Sequence, residues 1–278
     1  MKLNKYDLYM CVKQLPPLLK KLVMECNGLI IAGGFIRGTI KNEEKSDIDL
    51  FGPDQPSLYN YAKKYQQALA DKANTLVDNI EMFKTKNAYT LWERETPIQF
   101  ISRWCFSNPK TCIESFDFTI CQAAIWYENS QHPVFGDQTV GKWRSYCSDD
   151  FYKDLAANRM TYTWPIREEE AGGSAIRVLK YYKRGYRIPL DSYGQVIARL
   201  MAGVEMKRFR EEGWNSEWLA KVLTGLLYEV DPNSVNPAHY ETEKDIDAFL
   251  EEGRQIERVE EDRDEDLEEI SQATPNPT

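Results

Sequence analysis

At 278 residues, 42% hydrophobic and 28% charged, the chain is long enough for one large domain or two modest ones, and no apolar run approaches the ~20 residues that span a bilayer. The opening MKLNKYDLYMCVKQLPPLLKK mixes charges with apolar residues and offers no cleavage site after an apolar core, so it does not read as a secretory signal, and a cytoplasmic protein is expected. Of the net charge of −9, residues 241–278 contribute 15 acidic against 4 basic side chains, leaving 29 acidic and 31 basic before them, so the acidity does not exclude nucleic acid as a partner.

In chain order, proline in a first turn and Asn27-Gly28 as a stop predict a helix over 16–26. Residues 29–32 form an apolar run, read as a buried strand, and Gly33-Gly34 forces a turn into a brief helix over 35–40. SDIDLF, 46–51, alternates polar with apolar residues, the period of a strand with one buried face. Residues 57–73 carry apolar and aromatic side chains at helical spacing and read as a packing helix. Short strands follow at 80–83, 88–92 and 97–103, with Lys86-Asn87 as a turn, and FDFTICQAAIWY, 116–127, either continues the sheet or enters a helix. Beyond Pro165 the pattern is helical over 175–186, 192–209 and 216–228, and the last stretch from 241 has too few apolar residues to fold. The fold class expected is α+β: a catalytic domain with a mixed sheet over 1–150, a helical nucleotide- or acceptor-binding domain over 151–240, and an acidic disordered tail over 241–278.

Two carboxylates separated by one residue on a strand point the same way, with Cα atoms about 7 Å apart. Asp47 and Asp49 are thus suited to grip one or two hard cations together, as magnesium sits on carboxylates and substrate phosphates. Two ions in such a site activate an attacking hydroxyl and stabilise a departing pyrophosphate. Upstream, Gly33-Gly34 opens a helix whose amides can dock phosphate oxygens, and Arg37, one turn on, can add charge. Either feature alone is common in proteins that bind no nucleotide; the two together define the site.

These residues resemble the signature of the nucleotidyltransferase superfamily, with its DNA polymerase beta-like fold, and are closest to the branch of CCA-adding enzymes and bacterial poly(A) polymerases. That branch opens G-G-x-V-R-D and continues to D-x-D. Here Gly33-Gly34-Phe35-Ile36-Arg37-Gly38 matches except at the final aspartate, and Asp47-Ile48-Asp49, preceded by Ser46, matches fully. Asp117-Phe118-Thr119-Ile120, 68 residues after Asp49, resembles the family's R-R-D-F-T-I-N-A-L-A on the sugar side of the nucleotide, with Phe116 replacing arginine. Ile176-Arg177-Val178-Leu179-Lys180 followed by Gly185-Tyr186 resembles its base-reading helix, but Gly173-Ser174 stand in place of its acid pair. The resemblance covers about a third of the chain in three patches, and its divergence has a viral look, which would make the compartment the host cytoplasm.

The resemblance implies transfer of a nucleoside monophosphate from a nucleoside triphosphate to an acceptor hydroxyl, with Mg2+ (two ions) or Mn2+ as cofactor. It implies nucleotide contacts from Gly33, Gly34, Arg37, Ser46, Thr119, Arg177 and Lys180. Family members complete the metal site with a third acid on a neighbouring strand, and the aligned residue is Gln99, a neutral amide that accepts no proton. Asp117 is the alternative if 116–126 is a strand of the same sheet, and the reading favours Asp47, Asp49 and Asp117 as metal-binding, catalytic triad. The acceptor suggested by the motifs is an RNA 3′ end, supported by the basic, aromatic segment KYYKRGYR at 180–187. A protein or small-molecule acceptor, or nucleotide and RNA binding without turnover, are the competing readings. Six scattered cysteines read as free thiols, His132 and His239 as structural or surface residues, and Trp104, Trp126 and Trp143 as core.

Overall fold

A computed structural model describes residues 1–26, 28–43, 47–131, 139–165 and 171–202, with 217, 219–221 and 223 in a further helical stretch. The chain divides into two compact units: residues 1–167 with 181–193, and residues 168–180 with 194–278. The expected tail, most of the third C-terminal helix, Ser46, His132 and His239 lie outside the described residues.

The first unit is built on a seven-stranded mixed sheet. Its strands are β1 (Ile30–Ala32), β2 (Ile48–Phe51), β3 (Phe83–Lys84), β4 (Ala88–Glu93), β5 (Thr96–Ile101), β6 (Ala123–Gln131) and β7 (Thr139–Cys147), in the spatial order β3-β4-β5-β2-β1-β6-β7. Only β2 and β5 pair in parallel; the other neighbours are antiparallel. Its helices are α1 (Lys5–Gln14), α2 (Pro17–Glu25), α3 (Gly34–Lys41), α4 (Gln55–Ala73), α5 (Pro109–Glu114) and α6 (Phe151–Ala156).

Burial alternates along β5, whereas β1 is buried at all three positions. Ile48, Leu50, Ile98, Phe100 and Leu91 are buried on the face that packs on α4, whose Tyr65 donates to Glu93 of β4 at 2.7 Å. Lys72 pairs with the same buried carboxylate at 2.7 Å, so Glu93 has two partners under that helix. On the opposite face, Ile30, Ala32, Phe51 and Ala124 pack on Cys112 and Ile113 of α5. Helix α4 begins as its residues require: Asp54 accepts from the Ser57 amide at 2.7 Å, and Asn74 closes the helix in the left-handed conformation.

Helices α2, α3 and α4 and strands β1, β2, β4 and β5 match their predicted spans within a few residues. Of residues 80–83 only Phe83 is in a strand, as the first residue of β3. Helices α1, α5 and α6 and strand β7 are additions that the sequence pattern did not announce. Trp104, Trp126 and Trp143 are half-buried rather than core, whereas every cysteine except Cys105 is buried and all are free thiols.

Helices α7 (Ala171–Lys183) and α8 (Leu190–Ala202) pass from one unit to the other. Among the described residues no helix is long and apolar enough to cross a membrane.

Candidate nucleotide and metal site

The site is built where β1 ends. Gly33 leaves the strand at φ 88° and ψ −136°, a conformation that L side chains rarely adopt, and donates its N–H to the Ala123 carbonyl at 3.1 Å. A methyl group here would stand 3.2 Å from Phe116 Cε1 and 3.9 Å from Asp49 Oδ2. Glycine is therefore required twice, by the backbone angle and by the closeness of its neighbours. The Gly33 amide, expected at a phosphate, is thus spent inside the sheet. The first turn of α3 leaves the amides of Gly34, Phe35 and Ile36 without intrahelical partners, and these are the donors an anion would meet.

Asp47 and Asp49 flank buried Ile48 and both are half-buried; Asp49 lies on the face of β2 opposite the α4 layer, and Asp47 immediately precedes the strand. The register fixes their surroundings. Asp49 stands opposite Ala32 on one side and Gln99 on the other, and Gln99 stands opposite Thr90. The position beside the D-x-D pair is thus Gln99, as the alignment to the family motif implied, and it supplies an amide instead of a third charge. Among the described residues no three histidine, cysteine, aspartate or glutamate side chains gather as a metal-holding group. The donor set on the sheet is two carboxylates and one neutral amide. It suits a hard cation that draws further oxygens from a bound phosphate.

Asp117 does not lie on a strand. The chain bends at residues 116–117, Phe118 makes a single bridge with Tyr162, Thr119–Cys121 forms a 3-10 turn, and β6 begins only at Ala123. The condition under which Asp117 would stand in the sheet beside Asp49 is not met. Its side chain is 5% exposed, and its carbonyl accepts from the Thr163 amide at 2.9 Å.

Thr119, two residues on, is buried, and its hydroxyl donates to Asp154 Oδ2 at 2.5 Å. Arg159 grips the other oxygen of Asp154 through Nε at 2.7 Å and Nη2 at 2.5 Å. Burial raises the Asp154 carboxyl, but hydrogen bonds from Thr119, Thr161 and Arg159 outweigh it and hold the group below its ordinary value.

Arg37 turns inward. It is 1% exposed, its Nε pairs with Glu43 Oε2 at 3.0 Å, and its guanidinium lies over the Tyr181 ring at 4.6 Å. Cys121 lies 3.5 Å from Arg37 Nη1 and 3.0 Å from the Tyr181 hydroxyl, and Tyr186 donates to Glu43 at 2.5 Å. Burial first, then the neighbouring Cys121, pushes the Tyr181 hydroxyl well above its ordinary value, with Arg37 opposing. The cation expected at a phosphate instead anchors α3 to the 3-10 turn and to residues 181–186. Of the basic, aromatic segment, Tyr181 and Tyr186 are core, while Lys180, Tyr182 and Lys183 are exposed. Arg177 and Lys180 belong to the second unit, where Arg177 is half-buried on α7.

The structure thus brings Gly33, Asp49, Gln99 and Phe116 together around the end of β1, with Asp47 just ahead of β2. Sequence reasoning named Phe116 only as a departure from the family motif. Glu43, Cys121 and Asp154 carried no signal at all, because their partners are remote or unrelated by any motif.

Comparison with known proteins gives the following. A CCA-adding enzyme of Thermotoga maritima, solved in complex with tRNA, is 16% identical with a TM-score of 0.43, over 70% of this chain and 45% of that one. A CCA-adding enzyme solved with ATP is 17% identical with a TM-score of 0.46, over 72% and 46%. The Gabija anti-defense 2 protein of Bacillus phage SPbetaL7 is 23% identical over 175 residues, 63% of this chain and 38% of that protein. The chain therefore spans less than half the length of each of these. The model of the Gabija anti-defense 2 family matches residues 3–158, more than half of the sequence, and the chain belongs to that family.

Proposed function

We propose that the protein is a metal-dependent nucleotidyltransferase that moves a nucleoside monophosphate from a nucleoside triphosphate to an acceptor hydroxyl and releases pyrophosphate. The observation that carries this reading is the meeting of a metal-type carboxylate with a phosphate-type turn: Asp49 Oδ2 lies 3.9 Å from the Cβ position of Gly33, at the mouth of α3. The amides of Gly34, Phe35 and Ile36 hold phosphate oxygens, and the positive end of α3 favours their charge. Asp47 and Asp49 hold magnesium, or manganese in its place, which when bound neutralises charge on the phosphates during displacement. The acceptor is an RNA 3′ end, a reading supported by the family-like motifs and by exposed Lys180, Tyr182 and Lys183. The family name supports a use of this chemistry against Gabija defence.

One observation favours a second reading. Gln99 in register with Asp49 supplies no general base, so the site is also compatible with a protein that binds metal and nucleotide without turnover.

Incubation with Mg2+, α-labelled nucleoside triphosphates and total RNA separates the outcomes. Labelled, extended RNA is expected; labelled protein would indicate a protein acceptor, and binding without product would leave only the second reading. Asp47→Asn and Asp49→Asn should each lower transfer at least 100-fold, an electrostatic loss of about 3 kcal/mol, with an unchanged circular dichroism spectrum. Asp117→Asn in the same assay decides whether Asp117 serves the reaction: retained activity removes it from the catalytic set. Equal activity of wild type and both clamp variants would overturn the transferase reading at this site.

A further inference from the structure

The register of the sheet leads from Asp49 to an exposed edge. Asp49 stands beside Gln99, Gln99 beside Thr90, and Thr90 beside Phe83, so one row of side chains crosses β2, β5, β4 and β3 on the same face. Helix α5 packs on this face at Phe51, but the far end of the row is open. Phe83 is 55% exposed, and Trp92, two residues along β4 from Thr90 and so on the same face, is 45% exposed. Strand β3 is the edge of the sheet, where a charge usually stands and an exposed ring adds nothing to the core.

The next residue, Lys84, takes the other face of β3, and a second cluster gathers there. Lys84 Nζ lies 5.0 Å from the centre of the Tyr59 ring and 3.5 Å from its hydroxyl. Lys63 Nζ lies 6.0 Å from the same ring, and Tyr89 meets that ring edge-on at 5.3 Å. Lys63 donates to the neutral Gln66 Oε1 at 3.0 Å. Among the described residues neither ammonium forms an ion pair, whereas Lys72 on the same helix holds Glu93. Two cations gathered at one ring repel each other, and an anion between them would relieve that. Exposed rings on one face of an edge strand and unpaired cations on the other suit a ligand that carries both flat bases and phosphates, a single-stranded nucleic acid. An acidic peptide would meet the lysines and leave the rings unused.

We propose that the β3 edge seats the acceptor: a single-stranded RNA with its 3′ hydroxyl at the Asp47 and Asp49 clamp lies along this row, stacks bases on Phe83 and Trp92, and presents its phosphates to Lys84 and Lys63. This rests on the transferase reading with an RNA acceptor. Neighbouring strands are about 4.8 Å apart, so the row from β2 to β3 spans about 14 Å, about four stacked nucleotides at ~3.4 Å each.

Fluorescence anisotropy of the full chain with a labelled oligoadenylate of about 12 nucleotides, without metal or triphosphate, measures the seat apart from the reaction. Phe83→Ala and Trp92→Ala should each weaken binding about 5- to 100-fold, the loss of one stacked base, with unchanged salt dependence. Lys63→Gln and Lys84→Gln should each weaken it and lower the slope of log affinity against log salt by about 0.7. Phe83→Tyr and Lys84→Arg keep a ring and a charge and should bind within about threefold of wild type, which separates contact from a defect in folding. No binding by wild type, or equal binding by wild type and all four truncating variants, overturns the seat and leaves nucleotide transfer to another acceptor standing. Duplex RNA of the same length bound as tightly overturns the stacking. A labelled polyglutamate bound as tightly, through the lysines alone, overturns the RNA in favour of an acidic protein. The expected losses together with no labelled product from α-labelled triphosphates support the seat as an RNA site while the transferase reading falls.

Discussion

Arg37 shows how far a residue's chemistry depends on where its helix face points. One turn after a phosphate-type turn, an arginine reads as an anion contact, and its position in G-G-F-I-R supports that. In the folded chain the side chain is enclosed, paired with Glu43 at 3.0 Å and stacked over Tyr181. Truncating a buried ion pair leaves the partner charge uncompensated, so Arg37→Ala should lower unfolding stability by about 3–5 kcal/mol in urea titrations. Arg37→Lys should recover part of that only, since an ammonium does not stack or bond as a planar fork. If Arg37 acted only as a phosphate cation, Arg37→Ala would weaken nucleotide binding and leave the urea midpoint in place. The inward turn was not legible in the sequence because the residues that receive it, Cys121 and Tyr181, are far along the chain and belong to no shared local period.

At the scale of elements, the turn and the strand that follows were the readable parts. Alternation in DIDLF sets which side chains share a face of β2 whatever lies beside it, and the break at Gly33-Gly34 follows from backbone freedom alone. Gly33→Ala tests both reasons for glycine together. It forces a side chain to φ 88° and drives a methyl to 3.2 Å from Phe116, so a loss of about 1–3 kcal/mol in thermal or urea unfolding is expected. An unchanged midpoint would mean that the turn relaxes freely. The segment FDFTICQAAIW was less readable. Its apolar residues do not alternate strictly, and the first half is diverted into a bridge with Tyr162 and a 3-10 turn before β6 pairs with β1. Helix α5 is capped by Asn108, which accepts from the Lys110 amide at 2.8 Å, but six residues are too few for a helical period to show in the sequence.

At the scale of the first unit, Asp154 of α6 ties the 3-10 turn at Thr119 to Arg159 and so joins three segments through one buried carboxylate. Its ionisation is held below the ordinary 3.8 by hydrogen bonds that exceed the cost of burial. The unfolded chain therefore takes up the proton at higher pH than the native one. The stabilisation is fully present above about pH 4 and is lost as pH falls through the native value. Urea midpoints compared at pH 6 and pH 3 should show a smaller acid-induced loss in Asp154→Asn than in wild type; equal losses would show that this carboxylate has no part in acid sensitivity.

By itself, the sequence determined the α+β character, the Gly33-Gly34 turn, and the shared face of Asp47 and Asp49. These are local properties, set by backbone freedom and by a period of two, and they need no knowledge of neighbours. Only the tertiary structure decided that Phe116 covers Gly33, that Asp117 leaves the sheet, and that Arg37 faces inward. Each depends on strand order or on packing between segments remote in sequence, where a shift of one residue in register would exchange one face of a strand for the other.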